Sequence, residues 1–507
     1  MKVAVVGSGV SGLAATWLLN EHSDHEVHLY EADSRPGGHA NTVNFVPLGK
    51  PESVPVDTYI VLNPTTYPNF LRFLKLKEIP ILPTEMTFSV SRDKGLFEWA
   101  GKNLFSIFCQ PTRLLDPQMW RLIYDVLRFN ACSRRILLNQ STNEGLSIGQ
   151  YLINNNYSAS FRDNYLIPMT AAVWSTSPDK CALDFPARTL IQFMYNHHLL
   201  QIIGKPSWLT INGGSKLYVN KILKAMNSNQ VHLSSPVISL KTSKEPTKGR
   251  KVTLETIDGR TVDFDHVIIA CHSDTALEIL RNGGIEPEEE RILSKFQWNK
   301  NEAVLHCDTD LMPKSRLAWS CWNYLSSSAT DDRGFRKANI DEVSLYVSYR
   351  LLDWMNDLQH ISEKKHGTVL VTLNPPFEPR PDTVGGRWAY EHPVLNSEAV
   401  SAQREMPTIQ NTRGISYAGA YLRYGFHEDG FTSGCRAATD HLGARPPFVI
   451  EAIDYKPEGG LALALASLFD IFEATGFSDI WGFILILQLA VVRFWVGMFV
   501  DLAHLKE

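Results

Sequence analysis

Runs of apolar positions, and the glycines that interrupt them, divide the chain into elements. Val3-Ala4-Val5-Val6 is uncharged and mostly β-branched, the pattern of a strand covered on both faces. Gly7-Ser8-Gly9-Val10-Ser11-Gly12 follows. Residues 13–19 then read as helix and 27–31 as a second strand, which makes a βαβ unit within about thirty residues. From 104 to 200 apolar residues recur three and four apart, predicting mainly helix. Residues 208–222 hold a second glycine turn, Asn212-Gly213-Gly214-Ser215, which runs into a helix. Residues 231–242 and 251–257 alternate as strands, with Thr247-Lys248-Gly249-Arg250 as the turn between them. Residues 265–270 and 415–419 repeat the buried-strand pattern, and 432–442 read as helix. Residues 326–342 are a polar run, predicting an exposed loop, and Arg445-Pro446-Pro447 closes the globular region. No internal repeat is visible.

Beyond that point the pattern changes. Between 480 and 500 only Gln488 and Arg493 are clearly polar. As a helix this run would extend roughly 31 Å at about 1.5 Å per residue, the depth of a bilayer core. Residues 461–472 are also apolar and read as a second, shallow helix. Three arrangements of the tail stay open: spanning a membrane, lying in its interface, or packing as a buried helix.

Composition adds limits. The 507 residues are 44% hydrophobic and 20% charged, an ordinary globular mix that excludes wholesale disorder. Lys and Arg number 49 against 54 Asp and Glu, so the net charge of −5 argues against a nucleic-acid partner. Seven cysteines, an odd number with no CxxC spacing, argue against a disulfide scaffold and a structural zinc site, and favour a reducing compartment. No metal is expected: His306-x-Asp308 has no suitably spaced third ligand. A secretory signal pattern is missing at the start.

The glycine turn carries the chemistry. Gly7 makes the tight turn, Gly9 lets the backbone approach a pyrophosphate, and Gly12 lets helix and strand pack closely. Val10 and Ser11 sit at the helix start, where free N–H groups and the helix dipole favour phosphate. Glu31, closing the second strand, is placed to accept hydrogen bonds from ribose hydroxyls.

Glu31-Ala32 followed by Arg35-Pro36-Gly37-Gly38-His39 resembles the second phosphate-contacting segment of the FAD-dependent amine oxidase-like oxidoreductase superfamily. That family usually has Arg where this chain has His39. The substitution resembles a subgroup of predicted NAD/FAD-binding proteins associated with cyclopropane-fatty-acid-synthase-type methyltransferases. Val56-Asp57-Thr58, Thr66-Tyr67-Pro68-Asn69, residues 86–90, 168–175 and 270–274 look like the same subgroup. Where the subgroup has Gly-Phe after Val-Asp-Thr, this chain has Tyr59. Pro236-Val237-Ile238 resembles the strand whose valine backbone meets adenine. Gly419, and Gly425-Phe426-His427-Glu428-Asp429-Gly430-Phe431, resemble the C-terminal flavin motif. There the helix opened by Gly430 would stabilise negative charge on the flavin N1–C2=O edge.

The resemblance implies an α/β fold: a discontinuous Rossmann-like FAD-binding domain with an inserted α+β substrate domain. Residues 1–90, 205–275 and 410–445 would form the first, 91–204 and 276–409 the second, and 446–507 the tail. The cofactor is FAD, noncovalent by default, with His39 and Cys435 open to covalent attachment. His427 and Glu428 are the acid–base candidates, against a loop-orienting role. Asp429 either bonds a ribityl hydroxyl or caps the next helix. Trp174, Trp322, Tyr421 and Tyr424 are candidates for an aromatic wall. Asn196-His197-His198 is read as structural.

The implied reaction is hydride transfer to flavin N5 from a lipid acyl chain, with dehydrogenation or double-bond isomerisation. Oxidation of an amine or small metabolite is the alternative. It would predict an aromatic cage and a lysine near N5, and Lys295 and Lys300 fall in the right part of the chain. A membrane-associated FAD-binding subunit without turnover is a third reading. The expected partners are a small-molecule or lipid substrate, a lipid-modifying enzyme and a membrane reached through residues 480–500. The expected location is intracellular, on a cytoplasmic face or organelle membrane.

Overall fold

The computed structural model describes the chain except residues 59–60, 139–144, 175–182, 202–203, 244–250, 327–348, 453–459 and 500–507. The turn at 247–250, Tyr59 and all but the first residue of the polar run at 326–342 therefore lie outside the described residues.

A five-stranded parallel sheet forms one half of the molecule. Its order is Ile415–Tyr417, His266–Ile269, Lys2–Val6, Glu26–Tyr30 and Val231–His232. Lys2–Val6 lies at its centre, and Val3, Ala4 and Val5 are fully buried, as its uncharged β-branched run requires. The helix Val10–His22 covers one face and is crossed by His427–Leu442. The crossing is close because it is glycine against backbone. A Cβ at Gly434 would collide with the Ser11 carbonyl oxygen, and one at Gly430 would lie 2.6 Å from Val10 Cγ1. An antiparallel sheet of Val237–Thr242, Val252–Thr256 and Thr261–Phe264 completes this half.

The other half is a seven-stranded sheet. Its order is Val384–Val394, Gln297–His306, Leu370–Leu373, Tyr349–Trp354, Trp322–Ser326, Phe88–Arg92 and Phe97–Ala100. All pairs are antiparallel except Trp322–Ser326 with Phe88–Arg92. A division at residue 90 thus falls inside a strand of this sheet. Helices dominate 104–200, led by Pro117–Cys132, Ile167–Trp174 and Ala187–Asn196. Pro117 at the first helical turn and the Asp116 side chain, which accepts from the Gln118 N–H at 3.0 Å, start the longest of them.

Two boundaries differ from expectation. The C-terminal helix begins at His427, five residues before the predicted 432, because the Asp429 carboxylate accepts from the Phe426 N–H at 3.0 Å and caps it. The globular region continues past Pro447. Phe448 and Ile450 pack on the core, and Glu451 exchanges backbone–side-chain hydrogen bonds with Asn69 at 2.8 and 3.0 Å.

The tail is a pair of helices, Gly460–Ala474 and Phe477–Phe499. The first is held on Pro117–Cys132 and the residues after it. Arg128 Nε lies 2.6 Å from Glu473 Oε1, Arg135 pairs with Asp470, and the Phe469 ring meets Tyr124. The second keeps its apolar side chains in the open: Phe483 is 68% exposed, Phe494 64% and Trp481 56%. The buried-helix arrangement is therefore wrong for this chain. Among the described residues no helix is long and apolar enough to cross a membrane.

Candidate active site

One continuous cavity of about 1300 Å³ runs from the glycine turn to the space between the seven-stranded sheet and the helices. That exceeds the roughly 300–1,000 Å³ of a pocket for one small ligand. Of the residues singled out in the sequence, Gly7, Gly9, Val10, Ser11, Glu31, Ala32, Gly37, Gly38, His39, Val237, Gly419 and His427 line it.

Six others do not. A Cβ at Gly12 would collide with the Gly7 carbonyl oxygen, so its role is packing. Arg35 turns back on its own loop and donates to the carbonyls of Gly38 and Ala40 at 2.7 and 3.1 Å. Gly430 faces Val10–His22 rather than the cavity, and Phe431 is buried against Trp17, Phe70 and Phe73. Asp429 is the helix cap, with Arg423 Nε 3.8 Å away. Glu428 is 1% exposed and points at the helix Pro68–Leu76, where it accepts from the N–H groups of Asn69 and Phe70 at 3.0 and 2.8 Å and from the Thr432 hydroxyl at 3.1 Å. Burial pushes its carboxyl up to about 8 against the pull of those donors. A residue so occupied caps one helix from another and does not line the main cavity. Glu428→Ala is expected to cost ~2–4 kcal/mol in urea unfolding, from lost cap and buried hydrogen bonds, and to leave the flavin spectrum unchanged.

Ser8, which the sequence reading passed over, ties the two phosphate loops together. Its N–H and hydroxyl donate to Glu31 Oε2 at 2.8 and 2.5 Å, and the Gly37 N–H donates to its hydroxyl at 3.0 Å. The Asp33 N–H donates to Oε1 at 2.9 Å, so Glu31 is held in place with room on Oε1 for one further donor such as a ribose hydroxyl. The middle of the cavity gathers four histidines. The His39 ring stacks on Tyr390 at 4.8 Å and lies 5.4 and 5.9 Å from His392 and His272, while His427 lies nearest the Tyr218 hydroxyl at 3.5 Å. Burial lowers His392 and His427 to about 4 and takes His39 well below its usual value, so all three are neutral at pH 7. Neutral His427 can hydrogen-bond in the cavity but is a poor proton acceptor. His272 stacks on Trp298 at 3.8 Å. The sequence marks His39, His427 and, within 270–274, His272; strand register brings His392 and Trp298 beside them, and no local pattern marks either.

The arrangement fits FAD. A Cβ at Gly9 would meet nothing within 4 Å and would point into free space at the helix start. His39 Nε2 and the Tyr421 hydroxyl are buried on this cavity without a hydrogen-bond partner among the described residues, as expected of groups that a ligand satisfies. Neither Lys295 nor Lys300 lines the cavity. Lys295 Nζ is 2.6 Å from Glu405, and Lys300, 83% exposed, is 3.5 Å from Glu391. Trp174, Trp322, Tyr421 and Tyr424 all do. His197 also lines it; it stacks on Phe193 at 4.0 Å and bonds the Phe193 carbonyl through Nδ1. One group among the described residues, His272, Asp274 and Glu391, has the spacing to hold a metal ion, with Lys300 already beside Glu391.

The family model for flavin containing amine oxidoreductase matches residues 10–442. No curated protein matches the chain. Among solved structures, a CLA-producing fatty acid isomerase from P. acnes shares 13% identity and a TM-score of 0.57, covering 87% of this chain and 98% of that one. Cyclohexylamine oxidase from Brevibacterium oxydans IH-35A shares 14% and 0.56, over 87% and 98%. A reduced UDP-galactopyranose mutase shares 15% and 0.56, over 87% and 95%. With the glycine turn, the His39 and Tyr421 cradle and a match over most of its length, the chain belongs to the flavin-containing amine oxidoreductase family and is an FAD-dependent oxidoreductase.

Proposed function

We propose that the substrate is a lipid acyl chain, which is dehydrogenated or isomerised, and that the tail holds the protein on the surface of a membrane. FAD, when bound, accepts the hydride equivalent. The protein's own contribution is a dry, apolar arm that orients the chain and excludes water. Trp99, Leu122, Val126, Tyr165, Met169 and Phe193 line this arm.

The observation that carries the reading is the position of Leu127. It lines the cavity and is 41% exposed, one residue before Arg128, which grips the tail through Glu473. The cavity therefore reaches the surface beside the apolar helix pair. A helix with so many exposed apolar side chains is costly in water and favours a lipid interface. The family fold serves fatty acids and amines alike, so the choice between them rests on this cavity. It offers an apolar arm; Lys295 and Lys300 stand off it, and the lysines that do line the cavity are Lys102, paired with Glu85, and Lys205.

Anaerobic titration with phospholipid acyl chains and with amines, read by flavin absorbance, tests the substrate. Bleaching by acyl chains is expected; bleaching by amines alone would refute it. Substitution of Trp481, Phe483 and Leu487 by serine in the full chain is expected to abolish flotation with phospholipid vesicles while FAD stays bound. Unchanged flotation would refute the surface attachment.

A further inference from the structure

On the cavity stands a carboxyl group with one oxygen left without a hydrogen-bond partner among the described residues. Asp353, on the strand Tyr349–Trp354, is 3% exposed and lines the cavity. Register sets Phe88, Trp322 and Asp353 in one row across three neighbouring strands, and all three line the cavity. Asp353 Oδ1 is buried with no hydrogen-bond partner among the described residues. Burial pushes its carboxyl well above the usual carboxylate range, which favours the protonated form. Glu428 makes the contrast: equally buried, it has three donors to hold it.

An unsatisfied buried polar group weakens a fold, and a leucine of similar size at this place would fit the surrounding rings better. A group kept at that cost, inside a cavity, is one that a ligand completes. Its neighbours Phe88, Trp322 and Leu351 are apolar, so the ligand around the contact is apolar too. A neutral carboxyl donates through its O–H and accepts through its C=O, which matches a hydroxyl or carbonyl oxygen.

We propose that Asp353 recognises the substrate, its carboxyl group hydrogen-bonding a hydroxyl or carbonyl oxygen carried by an otherwise apolar chain. This rests on the acyl-substrate reading and narrows it to oxygenated acyl chains. An alkylammonium would instead require the ionised carboxylate, and the test separates the two.

Full-length, FAD-loaded wild type, Asp353→Asn and Asp353→Leu are compared in two measurements. One is the thermal melt without ligand. The other is the calorimetric affinity for 1-decanol, 2-decanone and decylamine. Asp353→Leu is expected to melt a few degrees higher than wild type. It should bind 1-decanol and 2-decanone at least about tenfold more weakly, the loss of one good hydrogen bond. Asp353→Asn, which keeps a donor and an acceptor, should stay within about threefold of wild type for both oxygen ligands. Equal binding of 1-decanol by wild type and Asp353→Leu would overturn the assignment of Asp353 while leaving the acyl reading intact. Loss of decylamine binding alone in Asp353→Asn would overturn the oxygen contact in favour of an ammonium contact. No binding of any decyl ligand by the wild type would overturn the acyl reading and this one with it.

Discussion

Gly9→Val is expected to yield a folded protein that no longer retains FAD, whereas Gly12→Val, three positions on, is expected not to fold. The difference follows from what a side chain would meet. At Gly9 a Cβ finds nothing within 4 Å on the protein, because it projects into the cavity at the start of the helix Val10–His22. The space it would take is where the backbone must approach a pyrophosphate. A branched side chain there adds steric exclusion and shields the helix N–H groups from the phosphates. Loss of at least about 4 kcal/mol of binding, a thousandfold in Kd, is expected. At Gly12 a Cβ would collide with the Gly7 carbonyl oxygen and lie 3.3 Å from Ala270 Cβ, both in the central sheet and its turn. Nothing there can yield cheaply, and overpacking of this kind costs ~3 kcal/mol or more. Flavin absorbance after desalting, with far-ultraviolet circular dichroism beside it, separates the outcomes. A folded Gly12→Val that keeps its flavin would refute the distinction.

Acid sensitivity is the second large effect. His197, His266 and His306 are buried in the protein, and burial lowers each from 6.5 to about 4. Above pH 6.5 they are neutral in both folded and unfolded chains and add no pH dependence of their own. Between 6.5 and about 4 the unfolded chain takes up protons that the folded one refuses, so stability falls as pH falls. A drop from 6.5 to about 4 corresponds to about 3 kcal/mol for each histidine, a large fraction of the stability of a domain. His306 shows the mechanism. Its Nδ1 accepts from the Asp308 N–H at 3.1 Å and its Nε2 faces the Thr372 hydroxyl at 2.7 Å, so a second ring proton would break the first bond. The raised carboxyls of Glu428 and Asp353 act in the opposite sense, so the histidine contribution is read from the difference in urea midpoint between wild type and His306→Asn. His306→Asn should be less stable than wild type at pH 7.5, and the gap should narrow as pH falls from 6.5 toward 5. A gap independent of pH over that window would refute the account.

The glycine turn, Glu31 and Gly37-Gly38 were legible because their work is done within a few consecutive residues. The C-terminal motif was legible as a segment but not face by face. Its helix starts at His427, and each further residue turns about 100° round the axis. That swing carries Glu428 to the helix Pro68–Leu76, and Gly430 to the helix Val10–His22, leaving His427 on the cavity. His392 and Asp353 were illegible. What makes each notable is a neighbour across a sheet or a missing hydrogen bond, and neither is written locally. The tail's apolar run was visible, but the ion pairs that fasten it, Arg128 with Glu473 and Arg135 with Asp470, join residues more than three hundred positions apart.

The close crossing of Val10–His22 and His427–Leu442 sets a timetable for biosynthesis. Leu13, Ala14, Trp17 and Leu18, buried in the finished molecule, are made first, and the helix that crosses theirs ends 420 residues after the first one does (442 − 22). At about 5–20 residues per second the growing chain carries that apolar helix without its partner for roughly 20–80 s. The outer strand Ile415–Tyr417 of the central sheet also arrives late, so the cofactor cradle closes only near the end of synthesis. Flavin loading is therefore expected late, and nascent chains stalled before residue 442 should bind chaperones rather than FAD.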